Sequence, residues 1–187
     1  MNQTYIHPKR KTKVVFVQLG SPSEPTTKAL RKYLRKFLGD PRVVDINPWL
    51  WKIILNFFVL PFRPKKSAKL YARIWDGKSF PLITNTRDFT NNVREELKKI
   101  DPSGHVEVNH AFLLSPPYVN EVYDSWEDDL KKGVGATKLL VIPMFPQYSE
   151  STIASGIDAL AKELSKRVKI PTFEVITNFH RTHAFID

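Results

Sequence analysis

Hydrophobic positions along the chain follow two rhythms, one of period two or less and one near 3.6. Val14-Val-Phe-Val-Gln-Leu19 is an apolar run closed by Gly20-Ser-Pro-Ser, the pattern of a buried strand. Leu30, Tyr33, Leu34, Phe37 and Leu38 then recur at helical spacing, while Lys28, Arg31, Lys32, Arg35 and Lys36 fill the other face. Thr26 to Leu38 is therefore an amphipathic helix, ended by Gly39-Asp-Pro41. Further along, the pattern predicts a helix over Thr86 to Lys99, a strand over Val106 to Leu114 and a helix over Tyr118 to Lys132. A strand over Lys138 to Phe145, a helix over Ser151 to Val168 and a strand over Phe173 to Phe179 complete it. Strands alternating with helices mean parallel βαβ units with right-handed crossovers. The expected fold is α/β: a Rossmann-like, doubly wound sheet of four parallel strands flanked by helices.

One segment breaks the alternation. Between Ile46 and Phe62 the apolar side chains are interrupted by little more than Lys52 and Asn56, and Arg63, Lys65 and Lys66 follow at once. The run is too short for a bilayer span, which needs about 20 apolar residues. It suits a lip that dips into a membrane surface or lines an apolar cleft, and equally a core helix over the sheet. Trp49 and Trp51 beside lysines favour the lip, drawn here as an insertion over 46–67. The body of the domain is 13–179, after an N-terminal tail over 1–12.

Composition narrows the classes. A chain of 187 residues can bury a core, and 42% hydrophobic with 26% charged residues is the balance of a globular domain. With no cysteine there is no disulfide framework, thiol nucleophile or thiolate metal ligand here, which fits a reducing compartment. The first ten residues lack the apolar core of a signal peptide. The expected location is cytoplasmic, peripheral at the membrane. The net charge of +10 suits anionic partners. The basic residues concentrate at 9–13, 28–36 and 63–69, around the greasy segment, and no nucleic-acid motif accompanies them. Nucleic acid is therefore not the expected partner.

Candidate chemistry gathers near the C-terminal end. The strand before Pro143-Met-Phe-Pro-Gln-Tyr-Ser-Glu-Ser-Thr152 and the strand before Phe179-His-Arg-Thr-His183 empty onto one edge of a parallel sheet, where open α/β folds bind ligands. Tyr148 and Ser149 stand at a strand-to-helix turn and suit polar contacts to a ligand; simple N-capping accounts for Ser151 or Thr152 equally well. His183 opens a short helical stretch, where an imidazole can take a proton or ligate a metal near neutral pH. A histidine merely hydrogen-bonded at a helix cap is the plainer reading. His180, His105 and His110 are weaker candidates, and no pair has the i, i+4 spacing of a helical zinc site. Gly133-Val-Gly135 lacks a third glycine, so dinucleotide and nucleoside triphosphate are excluded. The chain ends four residues after His183, so any second half of the site is expected outside these residues.

Several motifs together resemble ferrochelatase: Val17-Gln-Leu-Gly-Ser-Pro22, Tyr33 to Val44, Leu60 to Ala68, Tyr71-Ala-Arg-Ile-Trp75, Pro143 to Thr152 and the turn around His183. They occur in family order over nearly the whole chain. The resemblance implies the amino-terminal one of two Rossmann-like halves around a porphyrin cleft, with the second domain absent. It implies insertion of Fe²⁺ into protoporphyrin IX to form haem, with iron as substrate and no permanently bound cofactor in this half. His183 would remove pyrrole protons or hand metal to the ring, and is the implied metal ligand. Its acidic partner would lie in the other half, and any iron–sulfur cluster would belong there too. Leu19, Tyr148 and Ser149 would line the ring pocket, and 46–67 would be the lip at the membrane. The truncated chain alone is expected to be inactive.

One departure stands out. Where the family usually carries an Arg-Tyr pair after the third strand, this chain has Leu113-Leu114. Neither supplies a cation or hydroxyl, which keeps open a chelatase for another metal, or a non-catalytic porphyrin- or haem-carrying protein at the membrane surface.

Overall fold

The computed structural model describes residues 11–133, 136 and 138–186. The expected tail over 1–12 therefore lies, but for its last two residues, outside the described residues, as does most of Gly133-Val-Gly135. Four strands, β1 (Thr12–Gln18), β2 (Val106–Phe112), β3 (Lys138–Pro143) and β4 (Thr172–Val175), form one sheet in the order β2-β1-β3-β4. All three pairings are parallel, with Val14 opposite both Val108 and Leu140. Helices α1 (Thr27–Leu38), α2 (Pro48–Ile54), α3 (Arg63–Tyr71) and α4 (Pro81–Ile100) separate β1 from β2. Helix α5 (Val119–Lys131) crosses to β3, α6 (Ser155–Leu164) crosses to β4, and α7 (His183–Ile186) follows.

Alternation along β1 sends its side chains to two cores. Val15 and Val17 join Ala111, Leu139 and Val141 beneath Tyr123 and Trp126 of α5 and Leu160 and Leu164 of α6. On the opposite face Val14, Phe16 and Val108 pack against Val93 and Leu97 of α4. Helices therefore lie on both faces, the doubly wound arrangement expected. The central strand is accordingly apolar from Val14 to Val17, as burial on both faces requires. Lys13 is the exception at its start. Its ammonium is almost fully buried, 3.2 Å from Glu107 and 3.6 Å from Asp129, because an unpaired charge there would carry a large desolvation cost.

Element boundaries differ from the sequence pattern where chain geometry intervenes. Helix α1 begins as expected, with the Thr26 hydroxyl accepting from the Ala29 N–H. Helix α4 starts five residues before Thr86, at Pro81, whose fixed φ suits a first turn. The helix expected over 151–168 opens with a π turn over Glu150–Ala154 and ends at Leu164. Strand β4 is shorter than 173–179; Ile176 still donates to the Val141 carbonyl before the chain bends away.

The greasy segment folds as α2, a π turn over Leu55–Val59, and the start of α3. Leu55 and Leu60 are buried and fasten it to the body. Trp49, Phe57, Phe58 and Phe62 are instead 66–73% exposed, so most of its aromatic surface does not cover the sheet. Two bonds to α1 hold its base: the Trp51 indole N–H donates to the Leu38 carbonyl at 2.6 Å, and the Arg31 guanidinium donates to the Leu60 carbonyl at 3.3 Å. No helix among the described residues is long and apolar enough to cross a membrane.

Gly20, just beyond β1, combines a positive φ of 92° with a close approach. A Cβ there would stand 2.3 Å from the Ser115 hydroxyl oxygen. Gly77 shares the positive φ, at 93°, but has open space around it. Gly77→Ala therefore carries only backbone strain, of about 1–3 kcal/mol. Gly20→Ala is expected to destabilise measurably more in denaturant unfolding, because Ser115 must also move. Equal losses for the two variants would mean that the contact with Ser115 does not constrain the turn.

Candidate functional site

The strand order reverses direction between β1 and β3, and their outgoing chains part to opposite faces, which opens a crevice at the carboxyl edge. Backbone hydrogen bonds continue past the strands there. Met144 N–H donates to the Val17 carbonyl at 2.8 Å, Leu113 N–H to Gln18 at 3.0 Å, and Leu114 N–H to Leu19 at 3.0 Å. Leu19 is thus pinned between the two flanking turns. Its own N–H donates to the Gln18 side-chain carbonyl at 2.8 Å, and that side chain's amide donates to the Met144 carbonyl at 3.4 Å.

Leu19 lines a cavity of about 170 Å³ together with Phe37, Val43, Leu113, Ser151 and Asp158, among others. Pockets that enclose a whole organic ligand usually measure about 300–1,000 Å³, so this one is a wall of a cleft. Leu113 and Leu114 both face it and make that side apolar, while Asp40, Ser155, Asp158 and Lys162 bring polar groups to the rest of the lining.

Ser149 is the residue before the π turn, with extended backbone at φ −151°. Its carbonyl accepts from Ile153 N–H at 3.0 Å, and its hydroxyl meets those of Thr152 at 2.9 Å and Ser151 at 3.2 Å. The hydroxyl cluster takes the place of the side-chain cap expected from Ser151 or Thr152. Tyr148 is 54% exposed, with its ring outside the core.

The turn bearing His183 docks on this one through a single acceptor. The Pro146 carbonyl accepts from both the Phe179 N–H, at 3.0 Å, and the His180 N–H, at 3.1 Å. The Thr182 hydroxyl donates to the Phe179 carbonyl at 2.8 Å, and the Phe185 ring packs edge-on against Phe179 at 5.5 Å. His183 is the first residue of α7 and is solvent-exposed. The Tyr148–Ser149 turn, the His183 turn and the end of β1 therefore occupy one edge. His180, the weaker candidate, has a buried Nδ1 without a protein partner.

His105 and His110 are elsewhere. His110 lies on β2 and stacks edge-on with Phe112; burial, with Arg94 and Arg87 nearby, holds its imidazole below the ordinary value. His105 belongs to the turn before β2, at the far end of the sheet, where its Nδ1 meets the Ser103 hydroxyl. Among the described residues no group of three His, Cys, Asp or Glu side chains could hold a metal ion.

Sequence reasoning missed the ion pair beside the cavity. Arg42, from the loop leading to the greasy segment, grips Asp158 of α6 with both ends of its fork, at 2.5 and 3.0 Å. The hydrogen bond from Arg42 holds the Asp158 carboxyl below the usual range, and Lys162 adds to this. With the partners 116 positions apart, nothing in a single sequence signals the pair. Since the folded carboxyl has the lower pKa, its stabilising contribution is complete above the ordinary carboxylate value and is lost as pH falls from there through the lowered one. The melting-temperature gap between the wild type and Asp158→Asn should thus hold from pH 7 down to about 4 and close only as pH falls below that. A gap independent of pH would mean that the pair does not tie the loop to α6.

A profile of the family described as Ferrochelatase matches residues 11–187. The chain is 41% identical over 174 residues to the ferrochelatase of Idiomarina loihiensis, covering 93% of this chain and 46% of the relative. It is 38% identical to that of Teredinibacter turnerae, over 99% of this chain and 49% of the relative. It is also 38% identical to the coproporphyrin III ferrochelatase of Streptococcus mutans, over 95% of this chain and 53% of the relative. The chain spans about half the length of the curated relatives it matches.

Proposed function

The chain belongs to the ferrochelatase family, and on that premise we propose that it forms the amino-terminal half of an enzyme that inserts Fe²⁺ into a porphyrin to give haem. One observation carries the reading: the Tyr148–Ser149 turn and the His183 turn share the Pro146 carbonyl at the same sheet edge as the apolar Leu19 wall. A flat hydrophobic ring fits against Leu19, Phe37 and Leu113, with Tyr148 and Ser149 at its edge. The other half of the protein supplies the facing wall, since the 170 Å³ hollow is too small for the ring. The domain is the unit over 13–179, with 46–67 as its lip.

Insertion exchanges two pyrrole N–H protons for one metal ion. A base must therefore stand over the ring face, and exposed His183 can accept a pyrrole proton and release it to water, or deliver the metal to the ring. Binding energy from the apolar wall can bend the ring towards the geometry in which its nitrogen lone pairs are exposed. Each 1.4 kcal/mol or so gained at the transition state is roughly tenfold in rate. The relatives carry two descriptions, ferrochelatase and coproporphyrin III ferrochelatase. Protoporphyrin IX is the substrate proposed here, because Leu113 and Leu114 themselves supply neither a cation nor a hydroxyl for extra carboxylates.

In the full-length protein, His183→Ala is expected to lower zinc-porphyrin formation by about 10²–10⁴-fold, the usual reach of one general base. Porphyrin binding, followed by fluorescence, should stay within a few-fold of the wild type. Unchanged turnover removes His183 from the mechanism. Absence of turnover in the wild type, with porphyrin bound, supports instead a porphyrin carrier, the reading that Leu113-Leu114 favours.

The lip is proposed to lie on the membrane, with Trp49, Phe57 and Phe58 in the interface and the lysines of α3 near lipid headgroups. Trp51 is excluded from this set because its indole is committed to the Leu38 carbonyl. Serine at 49, 57 and 58 should reduce co-sedimentation with anionic vesicles without lowering thermal stability. Undiminished co-sedimentation would return the segment to a role in protein packing.

A further inference from the structure

Most polar side chains around the hollow beside Leu19 are committed to protein partners. Asp40 accepts from the Arg42 backbone N–H at 2.9 Å, and both oxygens of Asp158 accept from the Arg42 guanidinium. The Ser155 hydroxyl donates to the Glu150 carbonyl at 3.4 Å, and that of Ser151 meets the Ser149 hydroxyl at 3.2 Å. Lys162 of α6 lines the same hollow and differs from all of these. Among the described residues its ammonium has no carboxylate within 4.0 Å.

That isolation runs against the local sequence. Asp158 lies four residues before Lys162, the spacing and order in which an acid and a lysine pair best on a helix. Lys98, Lys99, Lys131 and Lys166 each take an acidic side chain three residues earlier, at 2.7–3.1 Å. Lys162 is denied such a partner because Arg42 already holds Asp158 with both ends of its fork. The adjacent acid, Glu163, is taken by Lys166 at 2.7 Å and stands 3.8 Å from Arg167. An uncompensated positive charge is thereby left in the cleft wall. Leu113 lines both this hollow and a second one of about 220 Å³, and Lys162 does the same, so the charge sits beside the leucine wall.

Given the porphyrin reading above, on which this rests, we propose that Lys162 is a specificity-determining residue whose ammonium binds one carboxylate arm of the porphyrin. The hollow is too small for the macrocycle. A flexible carboxylate-bearing arm can enter it while the ring stays against Leu19 and Leu113. Lysine suits that task, because its long stem packs along apolar surface while the ammonium follows a movable acceptor. A ring seated over the hollow excludes water from the pair, which strengthens the attraction between opposite charges. With Asp158 occupied, that carboxylate does not compete for the ammonium. The contact is made equally before and during metal insertion, so Lys162 governs substrate affinity and leaves the chemical step alone.

The test is steady-state zinc insertion by the full-length protein, using protoporphyrin IX and its dimethyl ester in the same detergent. Lys162→Met keeps the stem and removes the charge. It should raise KM for the diacid about tenfold with kcat nearly unchanged. Lys162→Arg should recover most of that loss, and KM for the uncharged ester should be the same in all three proteins. Lys131→Met, which removes a charge from the exposed face of α5, should match the wild type. Matched melting curves will verify that the variants fold. Fluorescence titration of both porphyrins gives the same comparison through Kd where the wild type binds without turnover. A diacid KM or Kd unmoved by Lys162→Met, or an equal rise for the ester, would overturn the proposal and leave the porphyrin reading intact. A wild type that neither metallates nor binds either porphyrin would sink both.

Discussion

The carbonyls at the end of β1 govern everything built on the ligand edge. Val17 accepts from the chain leaving β3, and Gln18 and Leu19 accept from the chain leaving β2. Strand pairing is thereby prolonged past the sheet, and the turns that carry side chains towards the crevice start from fixed points. A parallel sheet with its central strand buried on both faces makes such prolongation cheap, because these backbone groups need partners wherever water is excluded. The glycine next in line, Gly20, lets the chain turn away with a positive φ while passing close to Ser115. Rigid anchoring on one side of the site follows from backbone bonding, before any side chain is considered.

From those anchors the site is assembled by few additional contacts. Pro146 lacks an N–H, yet its carbonyl accepts two hydrogen bonds and so joins the Tyr148–Ser149 turn to the His183 turn. Arg42 and Asp158 join the base of the lip to α6 across the outer side of the same cavity. The lip is tied to α1 by Arg31 and Trp51, so its exposed aromatic residues sit on a fastened base. The family match runs over residues 11–187 and so spans the Leu19 wall, the His183 turn and the projecting greasy segment alike.

Charge is partitioned in the same architecture. The outer surface of α5 is acidic, with Asp124 and Glu127 gathered by Arg167, whereas α1 and α3 are lysine- and arginine-rich. On α3 the basic residues directly follow exposed aromatic ones, the pattern of a membrane-facing surface. On α1 the same excess borders a cavity through Lys32 and Lys36, so the net charge of +10 is spread over separate surfaces that composition cannot distinguish.

The alternation of strands and helices, the parallel four-stranded sheet and the turns at Leu19, Tyr148 and His183 were legible in the sequence because each rests on local periodicity or a contiguous motif. The ambiguity of residues 46–62 was equally a property of the sequence: an apolar run has the same pattern whether it packs inward or projects. Folding resolved it by burying Leu55 and Leu60 and leaving Trp49, Phe57 and Phe58 outside. Strand order, the Arg42–Asp158 pair and the two hydrogen bonds to the Pro146 carbonyl were decided only in three dimensions. Each joins residues far apart in the chain, and their proximity depends on how crossovers pack around β1. Local sequence determines which elements form and which chemical groups they carry; long-range packing determines which of those groups meet.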